Sequence, residues 1–180
     1  MPFEFQPTLR GHLVHLRPVS ESDFESLFRV ASDPLIWEQH PDKTRCEPEG
    51  FARFFRRGLE SGGALLATDA STGETIGTSR YDGYDEAESE IEIGWTFLAR
   101  RCWGGTYNSD MKRLMVDHAF RFVDRVVFMI GSENIRSQQA VLRLGAVRDG
   151  ARLDPDGIEH FRYALTPAAW AGRDLNRAGG

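Results

Sequence analysis

The 180-residue sequence is 41% hydrophobic and 27% charged, a globular balance long enough for one packed core and short for two. Its 22 basic and 27 acidic residues leave a formal charge of 22 − 27 = −5, which argues against non-specific nucleic-acid binding. No window approaches the roughly 20 apolar residues of a membrane span, no signal-peptide run opens the chain, and two distant cysteines, Cys46 and Cys102, suggest neither a disulfide framework nor a zinc site. A single domain over residues 1–180, in a reducing cytoplasm and without membrane, nucleic-acid or metal partners, is therefore expected.

Residues 1–10, with Pro2 and Pro7, read as an irregular lead-in. His12–Arg17 alternates apolar and polar residues and predicts a strand stopped by Pro18. Ser20 can cap a helix whose apolar positions Phe24, Leu27, Phe28 and Ala31 keep helical spacing, and Asp33-Pro34 ends it. Leu35–Glu47 is irregular, and Pro48 opens a second helix through Phe51, Phe54, Phe55 and Leu59, closed by Gly62-Gly63. Ala64–Ala70 and Thr75–Tyr81 then form a hairpin around Ser71-Thr72-Gly73-Glu74.

A polar loop leads to the strand Ser89–Phe97, where alternation puts Ile91, Ile93, Trp95 and Phe97 on one face and Glu90, Glu92, Gly94 and Thr96 on the other. A helix over Thr106–Arg125 places Met111, Leu114, Met115, His118, Ala119, Phe122 and Val123 inward, with Asp110, Arg113, Asp117, Arg121 and Asp124 opposite. Val126–Ile130 is a continuous apolar run suited to a strand covered on both faces. A short helix at Ile135–Leu144, capped by Asn134 and stopped by Gly145, precedes a hairpin of Ala146–Leu153 and Glu159–Leu165. Pro167–Gly172 adds a helical turn, and Arg173–Gly180 is expected to fray.

The turn between Phe97 and Thr106 carries the first chemical signal. Arg100 and Arg101 bring charge, Gly104 and Gly105 let backbone approach closely, and a helix N-terminus offers unpaired N–H groups, a combination that fits an anion. Alone, a glycine pair reads more readily as an exposed basic hinge. Neither G-x-x-x-x-G-K-[ST] nor G-x-G-x-x-G occurs here. From alternation alone, Glu90 and Glu92 read as a solvated strand face, and Asn134 with Ser137 as a capping pair. Cys102 has no neighbouring base to activate it, and His118 on the apolar helix face reads as a core histidine.

The order β-α-α-β-β-β-α-β-α-β-β, with its glycine turn, resembles the GNAT superfamily of acyl-CoA-dependent N-acyltransferases, and more narrowly the branch of the ribosomal-protein N-terminal acetyltransferases. The resemblance spans roughly residues 9–170. It rests on Leu13-Val14-His15-Leu16-Arg17-Pro18, Glu92-Ile93-Gly94-Trp95, Arg101-Cys102-Trp103-Gly104-Gly105-Thr106-Tyr107, and Asn134-Ile135-Arg136-Ser137 followed by Leu144-Gly145-Ala146. It departs at Thr106, where the family's loop carries glycine or alanine, and at Asn108, where a small residue is commoner.

The resemblance implies a mixed, mostly antiparallel sheet of about seven strands flanked by helices and splayed between the fourth and fifth. It implies acetyl-CoA as co-substrate without a metal, its diphosphate on Arg100, Arg101, Cys102, Trp103, Gly104, Gly105, Thr106, Tyr107 and Asn108, and its pantetheine arm along the backbone of Phe97 and Leu98, with Asn134 nearby. Glu92 takes the position of the family's base, with Glu90 as the rival, and Ser137 that of the acid that protonates the thiolate. Trp37, His40 and Glu90 border the expected acceptor cleft. The acceptor is then a small-molecule or peptide amine, and the chain a monomer or homodimer. Two alternatives stand: a non-catalytic acyl-CoA-binding module, and an enzyme using another acyl group such as succinyl.

Overall fold

The lead-in is not irregular throughout: Leu9–Arg10 forms a short strand, β1, paired antiparallel with β2 (Val14–Pro18). The computed structural model describes residues 2–177. Helices α1 (Phe24–Ala31) and α2 (Pro48–Ser61) follow, as the apolar spacing predicts. Between them lie two single turns, Pro34–Trp37 and Lys43–Cys46, each opened by an aspartate whose carboxylate accepts a backbone N–H, Asp33 from Leu35 and Asp42 from Thr44. Such local bonds explain why this stretch is ordered without helical periodicity.

Strands β3 (Ala64–Asp69), β4 (Thr75–Asp85) and β5 (Glu90–Leu98) form a meander, and α3 (Thr106–Ala119) crosses over to β6 (Arg125–Gly131). Helix α4 (Ile135–Leu142) precedes the hairpin β7 (Val147–Leu153) and β8 (Glu159–Leu165), and α5 (Pro167–Arg177) closes the described chain. Helix α5 takes in the start of the tail expected to fray from Arg173, and residues 178–180 lie outside the described residues. The sheet has eight strands in the order β1-β2-β3-β4-β5-β6-β8-β7. Among the described residues β5 and β6 are its parallel neighbours, and the other pairs are antiparallel.

Each face of the sheet carries a core. On one face Leu16, Ile76, Ile91 and Ile93 of the sheet pack with Met111 and Met115 of α3, all at 0–1% exposure. On the other face Leu66 and Phe97 of the sheet pack with Leu27 of α1, Phe51 and Phe54 of α2, and Trp37. Each such fully buried aliphatic or aromatic side chain contributes about 1.5–3 kcal/mol.

The predicted alternation of β5 fails at one point. Thr78 pairs with Phe97 but Arg80 pairs with Gly94, so Trp95 and Thr96 oppose Ser79 alone. This is a β-bulge, which inserts a residue and reverses the faces beyond it. Ile91 and Ile93 face α3, whereas Trp95 and Phe97 join the core under α1 and α2. Trp95 holds φ of 50°, a conformation in which a bulky residue stores about 1–3 kcal/mol of strain.

Two helix expectations are also corrected. Helix α3 stops at Ala119 rather than Arg125, because the N–H groups of Asp124 and Arg125 bond the carbonyl of Ser89 at 2.9 and 3.0 Å and start β6 beside β5. Asp110, placed on the solvent side by periodicity, is 9% exposed, and its Oδ2 accepts the N–H groups of Leu13 (2.9 Å) and Val14 (3.1 Å). It pins α3 to the start of β2.

Candidate active site

The turn after β5 is built to leave backbone donors free. A single helical turn, Arg100–Cys102, leads to Gly104 (φ 94°) and Gly105 (φ 126°), both in a region that favours glycine. No atom lies within 4 Å of where a Cβ on either would stand. Gly105 caps α3 without a side-chain bond, and Ser109 N–H to Gly105 O (2.9 Å) opens its hydrogen-bond ladder. The N–H groups of Thr106, Tyr107 and Asn108 therefore precede the helical ladder at the positive end of the helix dipole.

Side chains around this turn are largely committed to the protein. Arg100 pairs with Asp33, and Arg101 with Glu74 (2.6 Å) and Asp69 (4.0 Å). The Tyr107 hydroxyl donates to Asp69 Oδ2 (2.8 Å), so its ring turns toward the β3–β4 turn. Cys102 is 1% exposed, and burial pushes its thiol up, as befits a core cysteine rather than a nucleophile. Trp103 donates its indole N–H to Leu98 O (3.0 Å), and the Arg136 guanidinium lies 3.9 Å from its ring centre. Thr106 is exposed, and Asn108 half-buried. Free backbone N–H groups in open space, with Arg136 nearby, suit a diphosphate.

Beside this turn the sheet opens. Strands β5 and β6 pair only at Glu90 with Arg125, Ile91 with Val126 and Glu92 with Val127. Beyond Glu92 they part, which leaves Gly94 to Leu98 with β4 as their strand neighbour on one side only. Phe97 and Leu98 are 3% and 5% exposed, so their side chains anchor the strand and its backbone edge borders the gap.

Glu92 stands where the strands part. It lines a cavity of about 240 Å³ with Gly83, Glu90, Val127, Met129, Arg152 and Arg162. Burial pushes its carboxyl up to about 7; Arg152 opposes that rise, Asp82 adds to it and Arg80 opposes it. A carboxyl poised near neutral pH can take a proton from an ammonium group and give it to water. Glu90, one pleat away, is engaged differently: it accepts from Arg162 Nη2 (2.6 Å) and pairs with Arg125 (3.3 Å).

Asn134 is 8% exposed and caps α4, its Oδ1 accepting the Ser137 N–H (3.2 Å). That leaves the Ser137 hydroxyl, half-buried, without a hydrogen bond among the described residues. Trp37 is a core residue. It is 3% exposed, donates its indole N–H to Ala31 O (2.7 Å) and packs against Phe54 and Phe97, so the hydrophobic effect holds it in the core. His40 leans edge-on against it, 5.5 Å between ring centres, and its Nδ1 accepts the Asp42 N–H (2.9 Å). Burial, reinforced by Arg45, holds its pKa down to about 3 against the opposing pull of Asp42, so it is neutral.

Three charged residues near the cleft are missed by sequence reasoning: Lys112, Arg152 and Arg162. Lys112 leaves a trace, since it falls beside Met111 and Met115 on the apolar stripe of α3. The arginines leave none, because only the β7–β8 hairpin brings them to Glu92.

Residues 14–147 match the family model described as the acetyltransferase (GNAT) domain. A GCN5-related N-acetyltransferase from Brucella melitensis is similar in structure, with a TM-score of 0.84 at 16% identity over 97% of this chain and 85% of that one. A protein from T. thermophilus assigned as an acetyltransferase gives 0.76 at 25% identity, over 97% of both chains. Mycobacterium smegmatis RimJ in complex with CoA-disulfide gives 0.69 at 21% identity, over 96% of this chain and 94% of that one. The described fold, the glycine turn and the match over residues 14–147 lead to one conclusion: the chain belongs to the GNAT family of acyl-CoA-dependent N-acetyltransferases.

Proposed function

We propose that the chain acts as one acetyltransferase domain that moves the acetyl group of acetyl-CoA to a primary amine by direct attack in a ternary complex. The observation that carries this reading is the placement of Glu92. A half-buried carboxyl with its pKa near 7 stands at the opening between β5 and β6, on a cavity able to admit an acceptor.

In this reading the free N–H groups of Thr106, Tyr107 and Asn108 hold the diphosphate, with Gly104 and Gly105 keeping the approach open. The backbone of Phe97 and Leu98 carries the pantetheine arm and polarises the thioester carbonyl. The acceptor's ammonium gives one proton to Glu92, and the amine nitrogen bonds to the carbonyl carbon. The C–S bond then breaks with its electron pair on sulfur. Ser137 gives its hydroxyl proton to the thiolate and takes the second proton from nitrogen in its place, which is undemanding because a free thiol has a pKa of about 8.5. Glu92 suits the base better than Glu90, which is held by Arg162 and Arg125.

The test is thiol release from acetyl-CoA over a panel of amines, amino acids and peptides. The expected result is CoA release that depends on an acceptor and yields an amide. Tight CoA binding without release on any acceptor would make the chain a binding module instead.

A further inference from the structure

Four charged side chains line the cavity at Glu92: Glu90, Glu92, Arg152 and Arg162. Three of them are accounted for. Arg162 is bound to Glu90 (2.6 Å) and to Asp149, Glu90 is held again by Arg125, and Glu92 is the base of the proposed reaction. Arg152 stands apart. It lies opposite His160 in the β7–β8 ladder, is exposed, and has no hydrogen bond or ion pair among the described residues. It is nevertheless the charged group that acts most strongly on the Glu92 carboxyl. A proton acceptor and an uncommitted cation thus face one cavity without pairing across it.

The other walls say how large the ligand is. Gly83, Gly150 and Ala151 contribute almost no side chain, and the volume of about 240 Å³ lies below the roughly 300–1,000 Å³ of pockets that hold drug-sized ligands. A plain amine would leave Arg152 unanswered, and a peptide N-terminus carries no carboxylate beside its amine. We propose that the acceptor is a small zwitterion, a free amino acid, whose ammonium group meets Glu92 and whose carboxylate pairs with Arg152. The planar guanidinium can grip a carboxylate through two parallel N–H bonds, which fixes the amine's direction as well as its position. The inference rests on the reading of Glu92 as base, and the transfer step is unchanged: the amino nitrogen gains the acetyl group, CoA leaves as the thiol, and one proton goes through Glu92 to water.

The experiment compares CoA release with the common free amino acids, their C-terminal amides, and dipeptides that begin with the same residues, on the wild type and on Arg152→Gln. For the best amino acid, kcat/KM is expected to exceed that of its amide and dipeptide by at least about tenfold, the scale of one charge-assisted pair. In Arg152→Gln that preference collapses toward one through a rise in the amino acid's KM. An amide or dipeptide used as well as the free acid, or a preference that survives Arg152→Gln, would overturn the inference while leaving acetyl transfer standing. No release with any of these compounds would overturn the inference, and no release across the wider panel of amines and peptides would overturn the transfer reading as well.

Discussion

Lys112 Nζ, on α3, donates to Thr96 Oγ1 on β5 at 2.8 Å, directly at the bulge that reverses the faces of that strand. The same ammonium lies 3.4 Å from Ser79 Oγ on β4 and 5.8 Å from the ring centre of Phe128 on β6. One buried lysine thus touches three strands around the place where β5 and β6 part.

That position costs stability, and the cost depends on pH. Burial lowers the Lys112 pKa from 10.5 to about 7. The unfolded chain therefore binds a proton that the folded chain resists, so the penalty is full below about pH 7, shrinks between 7 and 10.5, and vanishes above. Lys112→Met removes the penalty without orphaning the hydroxyls, because Ser79 and Thr96 bond each other at 2.7 Å. The variant is expected to be more stable at pH 6.5 by roughly 1–4 kcal/mol, a gain that fades by pH 10. Urea unfolding at the two pH values checks this, and an equal gain at both would contradict it.

Asp110 works in the opposite direction. Burial raises its pKa, but the N–H groups of Leu13 and Val14 and the Arg113 guanidinium outweigh this and hold it below the usual range. A depressed carboxyl stabilises the fold above its unfolded pKa and loses that effect as pH falls through the folded one. Asp110→Ala leaves two backbone donors unanswered and is expected to destabilise the protein by about 1–3 kcal/mol at neutral pH, a loss that shrinks as acid protonates the wild-type carboxyl. Thermal unfolding across that range is the measurement.

The glycine turn gives a third prediction, on the proposed cofactor site. Gly105→Ala introduces a Cβ at φ 126° without striking any protein atom. Its cost to folding is backbone strain, about 1 kcal/mol. Its larger effect falls on the anion that the free N–H groups are proposed to hold. The KM for acetyl-CoA is expected to rise several-fold with kcat nearly unchanged, and steady-state kinetics with acetyl-CoA varied would read the split. An unchanged KM would place the diphosphate elsewhere.

Much of this was legible in the chain. The helical spacing of Phe51, Phe54 and Phe55, the Ser71–Glu74 turn and the apolar run Val126–Ile130 each announce the element that forms. Gly94 likewise announces irregularity in β5, but not its direction. Because side chains alternate with period two, one inserted residue at Trp95 moves Phe97 to the opposite core, and no local pattern reports an insertion. Asp110 reads as a surface residue, since its partners are the backbone N–H groups of a strand nearly a hundred positions earlier. Arg152 is invisible for the same reason: Glu92 lies on a different strand, and only tertiary structure brings the two to one cavity.

In the proposed reaction Glu92 takes the acceptor's proton. Glu92→Gln keeps the shape and removes the base. The wild-type rate is expected to rise with pH through a limb near 7, matching the raised carboxyl, and then to level off. In Glu92→Gln that limb should vanish and kcat should fall by about 10²–10⁴-fold, with the affinity for CoA retained. A rate and pH profile equal to the wild type's would remove Glu92 from the reaction.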